Sequence, residues 1–240
     1  MTAGSRADAA VAVIVQARMT SSRLPGKVLK DLGPGTTLEL LARRLRGVEE
    51  AGTVAVATSV DESDDPVAEL VESLGLPLTR GPLDDVLERY RLAAAELDCE
   101  GVVRITADCP LVTPEVVDRL IRVWREDERL AYAWNAREPR TFPDGLDAEV
   151  VSRTALEEAA PETRDPYDRE HVTPFVRERP DRFPQQALRL EPPVRTIKLS
   201  LDTPQDLTTI RAFIERVGPD AGLDRILAAA GGGPSRMVVD

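Results

Sequence analysis

An α/β fold on a mostly parallel, mixed sheet, covered by helices on both faces, is the architecture this sequence predicts. Two observations carry it. Short apolar runs rich in β-branched residues recur along the chain, and stretches with helical spacing of apolar residues separate them. The length of 240 residues suits one such domain and allows a substantial core without disulfides or metal staples.

Strands are predicted at Val11 to Ala17 (VAVIVQA), Thr53 to Ser59 (TVAVATS), Gly101 to Asp108 (GVVRITAD), Leu130 to Asn135 and Val194 to Asp202 (VRTIKLSLD). Between them, Thr37 to Glu50 repeats apolar positions at Leu38, Leu41, Leu45 and Val48, the stripe of an amphipathic helix. Further helices are predicted at Asp65 to Leu74, Asp84 to Leu97, Pro114 to Arg125, Ser152 to Ala160, Asp168 to Arg179 and Pro204 to Val217. Prolines in the first turns of several of them are favourable helix starts. Residues 136–193 hold many prolines and charges and few strand signals, and read as an insertion building an acceptor site or a dimer contact. Residues 1–10 read as a loose tail without a signal peptide, 11–230 as the domain, and 231–240, with its GGGPS, as a flexible exit.

Composition narrows the function. A formal net charge of −11 and 4% aromatic residues argue against a general nucleic-acid surface, a stacking platform or an anionic-membrane surface. No segment reaches the roughly 18 apolar residues of a membrane span, so a cytoplasmic protein is expected. Two cysteines and one histidine are too few for a disulfide framework or a Cys/His zinc site.

In an open parallel sheet, ligands bind beyond the carboxyl ends of the strands. The first strand runs into Arg18, Ser21, Ser22, Arg23, Gly26 and Lys27, a cluster of cations, hydroxyls and a glycine in an acidic chain. Arg can bridge two phosphate oxygens and Lys acts as a point charge. The loop is not a Walker A motif, because Val28 follows Lys27 where a hydroxyl residue would be needed. The third strand ends at Asp108 and the last at Asp202. Two carboxylates suit Mg²⁺, which completes its shell with phosphates and water. Taken singly, Asp108 also reads as a turn residue and Asp202 as a helix N-cap.

The run RMTSSRLPGKVL from 18 resembles the nucleotide-binding loop of cytidylyltransferases related to CMP-KDO synthetase, and most closely the spore-coat polysaccharide biosynthesis protein F family. VATSVDESDD from 56, RGPLDDVLERY from 80, RITADCPL from 104, FPDGLDAEV from 142, DREHVTPF from 168 and LSLDTPQDL from 199 extend the resemblance over nearly the whole chain. It implies a single-domain nucleotidyltransferase fold of the GT-A kind, acting as a homodimer. It also implies transfer of CMP from CTP to a sugar, sugar acid or sugar or polyol phosphate. By it, Arg18, Ser22, Arg23 and Lys27 hold the triphosphate, and Thr58, Arg80 and Gly81 lie near base and ribose. Asp108 and Asp202 carry Mg²⁺, while Asp144, Asp147, Glu149, Glu170 and His171 lie near the acceptor. CMP-KDO synthetases have Gly-Asp-Glu-Pro where this chain has Ala107-Asp108-Cys109-Pro110, which keeps the metal aspartate but puts KDO itself in doubt as acceptor. His171 reads equally as a general base and as a structural hydrogen-bonding group. A glycosyltransferase consuming a nucleotide sugar shares this fold and metal logic, but it needs no triphosphate clamp.

Overall fold

The computed structural model describes residues 6–240, in which nine α-helices and eight strands follow one another. The strands are β1 (Val11–Gln16), β2 (Thr53–Ser59), β3 (Leu78–Gly81), β4 (Gly101–Thr106), β5 (Tyr132–Trp134), β6 (Glu149–Ser152), β7 (Gln185–Glu191) and β8 (Arg236–Val239). They form one sheet in the order β3-β2-β1-β4-β6-β5-β7-β8. The β3-β2-β1-β4 part is parallel, β6 runs antiparallel between β4 and β5, β5 pairs parallel with β7, and β8 closes antiparallel on β7.

Alternation along the strands divides the core into two layers. Val11, Val13 and Val15 of β1 point to one face and Ala12 and Ile14 to the other. The first face is covered by α1 (Thr37–Leu45), α2 (Asp65–Ser73), α4 (Pro114–Glu126), α8 (Pro204–Val217) and α9 (Leu223–Ala229). The second is covered by α3 (Val86–Glu96), α5 (Arg153–Glu162) and α7 (Pro174–Arg177), with α6 (Pro166–His171) beside them. Leu38, Leu41 and Leu45 of α1 are fully buried, each stabilising by roughly 1.5–3 kcal/mol.

Several expectations need correction. Residues 194–202 do not form a strand. Their amides are taken by loops at the strand ends: Val194 N–H donates to Thr141 O, Leu199 N–H to Asp144 O and Leu201 N–H to Asp108 O, at 2.8, 2.6 and 2.8 Å. The single ladder contact there is an isolated bridge between Asp144 and Lys198. The helix expected over 168–179 is two helices, because Val172 adopts a positive φ of 70° and Pro174 starts α7 afresh. Residues 136–193, which show few strand signals, contribute β6 and β7 to the sheet. The exit at 231–240 carries β8, whose Met237 and Val239 run beside Leu190 and Leu188 of β7. At the other end, Arg6 begins a 3₁₀ turn and lays its guanidinium over the Trp124 ring at 4.2 Å, and Ala9 is buried. The rest of the expected tail, residues 1–5, lies outside the described residues.

One glycine sets how the 199–202 segment seats. Gly145 has φ of +98°, and a Cβ there would lie 2.3 Å from the Leu199 carbonyl carbon. Only a residue without a side chain lets this backbone pass so closely and deliver Asp202 to the end of β4. Gly145→Ala is therefore expected to destabilise the fold by at least about 2 kcal/mol in urea unfolding, from strain and clash together. A change under about 0.5 kcal/mol would show that the segment seats by other means.

Candidate active site

A cleft of about 320 Å³ opens at the carboxyl ends of β1 and β4, lined by Gln16, Arg18, Thr20, Ser21, Ser22, Arg23, Lys27 and Asp202 together with Arg104, Thr106, Asp108, Glu170 and His171. The loop after β1 forms one wall. Leu24 and Val28 are buried and anchor it from beneath. Gly26, in the left-handed region at φ 66°, donates its N–H to Met19 O at 2.9 Å and starts a 3₁₀ turn at Lys27. The hydroxyl of Thr37, at the start of α1, donates to Lys27 O at 2.9 Å and to Lys30 O at 3.1 Å, fixing the backbone from which Lys27 projects. On the other side, the buried Asp64 accepts from Met19 N at 2.6 Å and from the Ser59 hydroxyl. Sequence reasoning missed Asp64, because nothing distinguishes it from the neighbouring Asp61 and Asp65.

Lys27 crosses the cleft between the two aspartates. Its Nζ is 2.5 Å from Asp108 Oδ2 and 3.0 Å from Asp202 Oδ1. Arg23 reaches Asp202 Oδ1 at 3.1 Å, and Lys198 reaches Asp202 Oδ2 at 3.2 Å and Asp206 Oδ2 at 2.8 Å. Burial pulls the Lys27 ammonium down, but Asp108 and Asp202 outweigh it and hold it above its ordinary value. Burial likewise raises Asp202, and Lys27 and Lys198 bring it below the usual carboxylate range. Asp202 does not cap α8. That cap is Thr203, whose hydroxyl accepts from Asp206 N in a capping box. The Asp202 carboxylate is thus left to face the cleft cations.

Among the described residues, no three His, Cys, Asp or Glu side chains gather into a self-sufficient metal cage. Two carboxylates do share one cation within 3.0 Å, which suits an ion that takes its other ligands from phosphate and water. Cys109 beside them is buried, and burial together with Asp108 pushes its thiol well up, so it is no thiolate ligand.

The remaining candidates divide. Arg18 and Glu170 line the cleft as an ion pair at 2.5 Å, and His171 stands next to them with its ring tilted on Tyr167 at 4.4 Å between centroids. Desolvation, then the Arg104 charge, holds the His171 imidazole below its ordinary pKa. Glu149 is buried beneath the cleft rather than lining it, and pairs with Arg104 at 2.7 Å. Asp147 is held by both terminal nitrogens of Arg140, at 2.7 and 2.5 Å, and Asp144 stands 4.0 Å from the same guanidinium. Neither aspartate lines the cleft, although both act electrostatically on Cys109. Burial raises the Asp147 carboxyl to about 7 despite Arg140. Thr58 is fully buried in β2, Gly81 abuts Arg89, and Arg80 is engaged by Ser59 O and Asp65 at 2.8 and 2.7 Å, so these three flank the cleft without lining it. Gln16, Thr20, Arg104 and Thr106 were not singled out from the sequence; of these, Gln16 and Thr106 end β1 and β4, a place that carries a signal.

With this geometry in place, likeness to other proteins becomes informative. The profile of the cytidylyltransferase family matches residues 12–219. The spore coat polysaccharide biosynthesis protein SpsF of Bacillus subtilis is 31% identical over 225 residues, 89% of this chain and 91% of that protein. A cytidylyltransferase of Leptospira borgpetersenii superposes with a TM-score of 0.86 at 29% identity, covering 92% of each chain. A CMP:2-keto-3-deoxy-manno-octonic acid synthetase in complex with CTP shares the fold at a TM-score of 0.65 and 18% identity, over 86% of this chain and 99% of that one. Basic loop, paired aspartates and sheet order therefore sit in a chain that belongs to the cytidylyltransferase family and is a nucleotidyltransferase.

Proposed function

We propose that this protein transfers CMP from CTP, with Mg²⁺, to a sugar-type acceptor and releases pyrophosphate. The observation that carries this reading is the meeting of Lys27, Arg23, Asp108 and Asp202 at one end of β4. A triphosphate clamp and a cation site are thereby contiguous, which a glycosyltransferase using a nucleoside diphosphate sugar would not require. The choice of cytidine rests on family membership and not on a contact in the cleft.

The reaction is in-line attack of an acceptor oxygen on the α-phosphorus: a new P–O bond forms and the bond to pyrophosphate breaks. Asp108 and Asp202 would hold Mg²⁺, whose chemistry there is charge neutralisation and polarisation of phosphate oxygens. Arg23 and Lys27 exchange their carboxylate partners for phosphate oxygens and stabilise the charge that builds on the leaving pyrophosphate. Arg18 offers a guanidinium to the same phosphates once it leaves Glu170. Ser21, Ser22 and the backbone at Gly26 line their approach. An acceptor that is already a phosphate needs no base. For a hydroxyl acceptor, His171 stands at the cleft with its imidazole favoured neutral, able to take the proton.

Pyrophosphate release with CTP, UTP, GTP and ATP against a panel of sugars, sugar acids and sugar phosphates tests the reading. CTP is expected to lead by about tenfold or more in kcat/KM. A purine triphosphate in first place, or no release with any pair, would sink it.

Asp108→Asn and Asp202→Asn are each expected to lower kcat by about a hundredfold or more while thermal melts stay close to wild type. Since Thr203 and not Asp202 caps α8, the second change has no helix end to disturb. A near-wild-type rate for Asp202→Asn at low Mg²⁺ would rule out the two-aspartate site.

Lys27→Ala is expected to weaken binding of CTP far more than of CMP, because its charge meets the outer phosphates. Titration of both nucleotides decides this, and equal losses would remove Lys27 from the clamp.

A further inference from the structure

Arg18 and Glu170 pair across the cleft at 2.5 Å, and neither side chain has another hydrogen-bond partner among the described residues. If Arg18 turns to phosphate, the Glu170 carboxylate is left beside an incoming polyanion. Like charges at that range oppose binding unless a second cation meets the carboxylate.

Arg89 of α3 has the opposite problem. It is 1% exposed, and its Nε and Nη1 are buried with no hydrogen-bond partner among the described residues. Buried charges are normally paired, because taking them out of water is costly. Its stem is packed: a Cβ on Gly81, at the end of β3, would lie 2.9 Å from Arg89 Cγ. Burial holds the guanidinium below its ordinary pKa, and the groups whose charges act on it are Tyr90, Arg18, Asp64 and Glu170. Most of these are already committed. Asp64 accepts from Met19 N at 2.6 Å through one oxygen, and from Ser59 N and the Ser59 hydroxyl at 3.3 and 2.5 Å through the other. The Tyr90 hydroxyl donates between Ile14 O and Ile105 O, at 3.1 and 3.2 Å. Glu170, held by Arg18 alone, is the carboxylate able to change partner.

The backbone brings the two side chains to neighbouring turns. Helix α6, which carries Glu170, packs on α3. Asp85, the cap of α3, fastens both: its Oδ2 pairs with Arg169 Nη1 at 2.9 Å, and its carbonyl accepts the Arg89 N–H at 3.2 Å. The other Asp85 oxygen accepts from Glu88 N at 2.9 Å, so Asp85 is not itself free for the Arg89 guanidinium.

We propose that Arg89 is a positioning residue for nucleotide binding, taking over Glu170 when Arg18 turns to the phosphates, so that filling the clamp leaves no carboxylate unpaired beside them. This deepens the nucleotidyltransferase reading above and rests on it. The exchange is a change of ion-pair partner in which no covalent bond forms or breaks. Arg89 does not line the cleft and acts through Glu170.

CTP and CMP are titrated calorimetrically, with Mg²⁺ and no acceptor, into wild-type protein, Arg89→Met, Glu170→Gln and the double variant. Arg89→Met is expected to weaken CTP by about tenfold and CMP much less, since an unpaired Glu170 counts most against the triphosphate. Glu170→Gln in the Arg89→Met background is expected to restore most of the lost affinity, because no carboxylate is then left to neutralise. A residue that merely shores up α3 would not be rescued by a change on α6. Arg89→Lys, which keeps the charge but loses the fork, should fall between wild type and Arg89→Met. It takes the place of Arg89→Met in the cycle if thermal melts show that Arg89→Met does not fold. Unchanged CTP affinity on replacing Arg89, or equal losses in the single and double variants, overturns the proposal. Absence of CTP binding to the wild-type protein would count against the nucleotide reading instead, and the same cycle is then read with tripolyphosphate and Mg²⁺, which draw on Arg18 without a base.

Discussion

The ligand edge depends on the contact of one ammonium with two carboxylates. Lys27 comes from the loop after β1, Asp108 from the end of β4 and Asp202 from the segment before α8, so the contact ties together stretches up to 175 residues apart. Each partner is backed by structure. Thr37 and Gly26 fix the turn under Lys27, Leu201 N–H donates to Asp108 O, and Gly145 makes room for the chain to reach that carbonyl. Side-chain exposures of 16%, 23% and 20% place the three groups where water screens them only partly, so each charge strongly favours the others. Remove Lys27 and two like charges face each other; remove either aspartate and the ammonium loses one of its two partners. The fold around the cleft is best understood as what holds these three groups in register.

What could be read from the sequence follows a physical divide. β1, β2 and β4 were legible because buried parallel strands need apolar β-branched runs, and Pro204–Val217 because proline and a capping box announce a helix. β6 was missed because EVVS is too short to show a period, and β7 because QQALRLE mixes glutamines with leucines. The apparent strand over 194–202 misled in the opposite way: its apolar alternation is real, but tertiary hydrogen bonds to Thr141, Asp144 and Asp108 claim the amides a ladder would use. At the cleft, Arg18, Arg23 and Lys27 were visible as a charge cluster and Asp108 as an aspartate just past a strand end, whereas Asp202 was placed by an expected strand that the structure does not form. Asp64 and Arg104 were not visible, since their significance lies in what they touch across the sheet.

The sheet order separates two chemistries on one edge. The ends of β1 and β4 carry the paired cations and aspartates of the cleft, with β2 and β3 beyond β1. On the other side of β4, the antiparallel β6 reverses the chain, so its first residue, Glu149, rather than its last, arrives at the ligand edge. This reversal places a carboxylate in register between Arg104 and Trp134 and allows residues 166–177, in α6 and α7, to fold over the same edge. Residues 136–193 thus contribute β6 and β7 to the sheet and Glu170 and His171 to the cleft.

The cleft cations share one further property: nearly all have a carboxylate of their own. Arg18 has Glu170, Arg23 has Asp202, Lys27 has Asp108 and Asp202, and Arg104 has Glu149. In a chain of net charge −11, these pairs turn the cations of the basic loop inward toward the cleft. They also set the terms of binding. A phosphate arriving at Arg18 or Lys27 gains a charge-assisted contact but must displace one that exists, so the net gain from a single phosphate is small. A ligand bringing several phosphates and a divalent cation exchanges partners throughout: its anions take the arginines and the lysine while its cation takes the freed aspartates. Asp108 and Asp202 would then not be stranded, while Glu170 would give up Arg18. On the function proposed above, selectivity for a metal-bound triphosphate over a lone phosphate would follow from the pairing itself, without any contact that recognises the triphosphate as a whole.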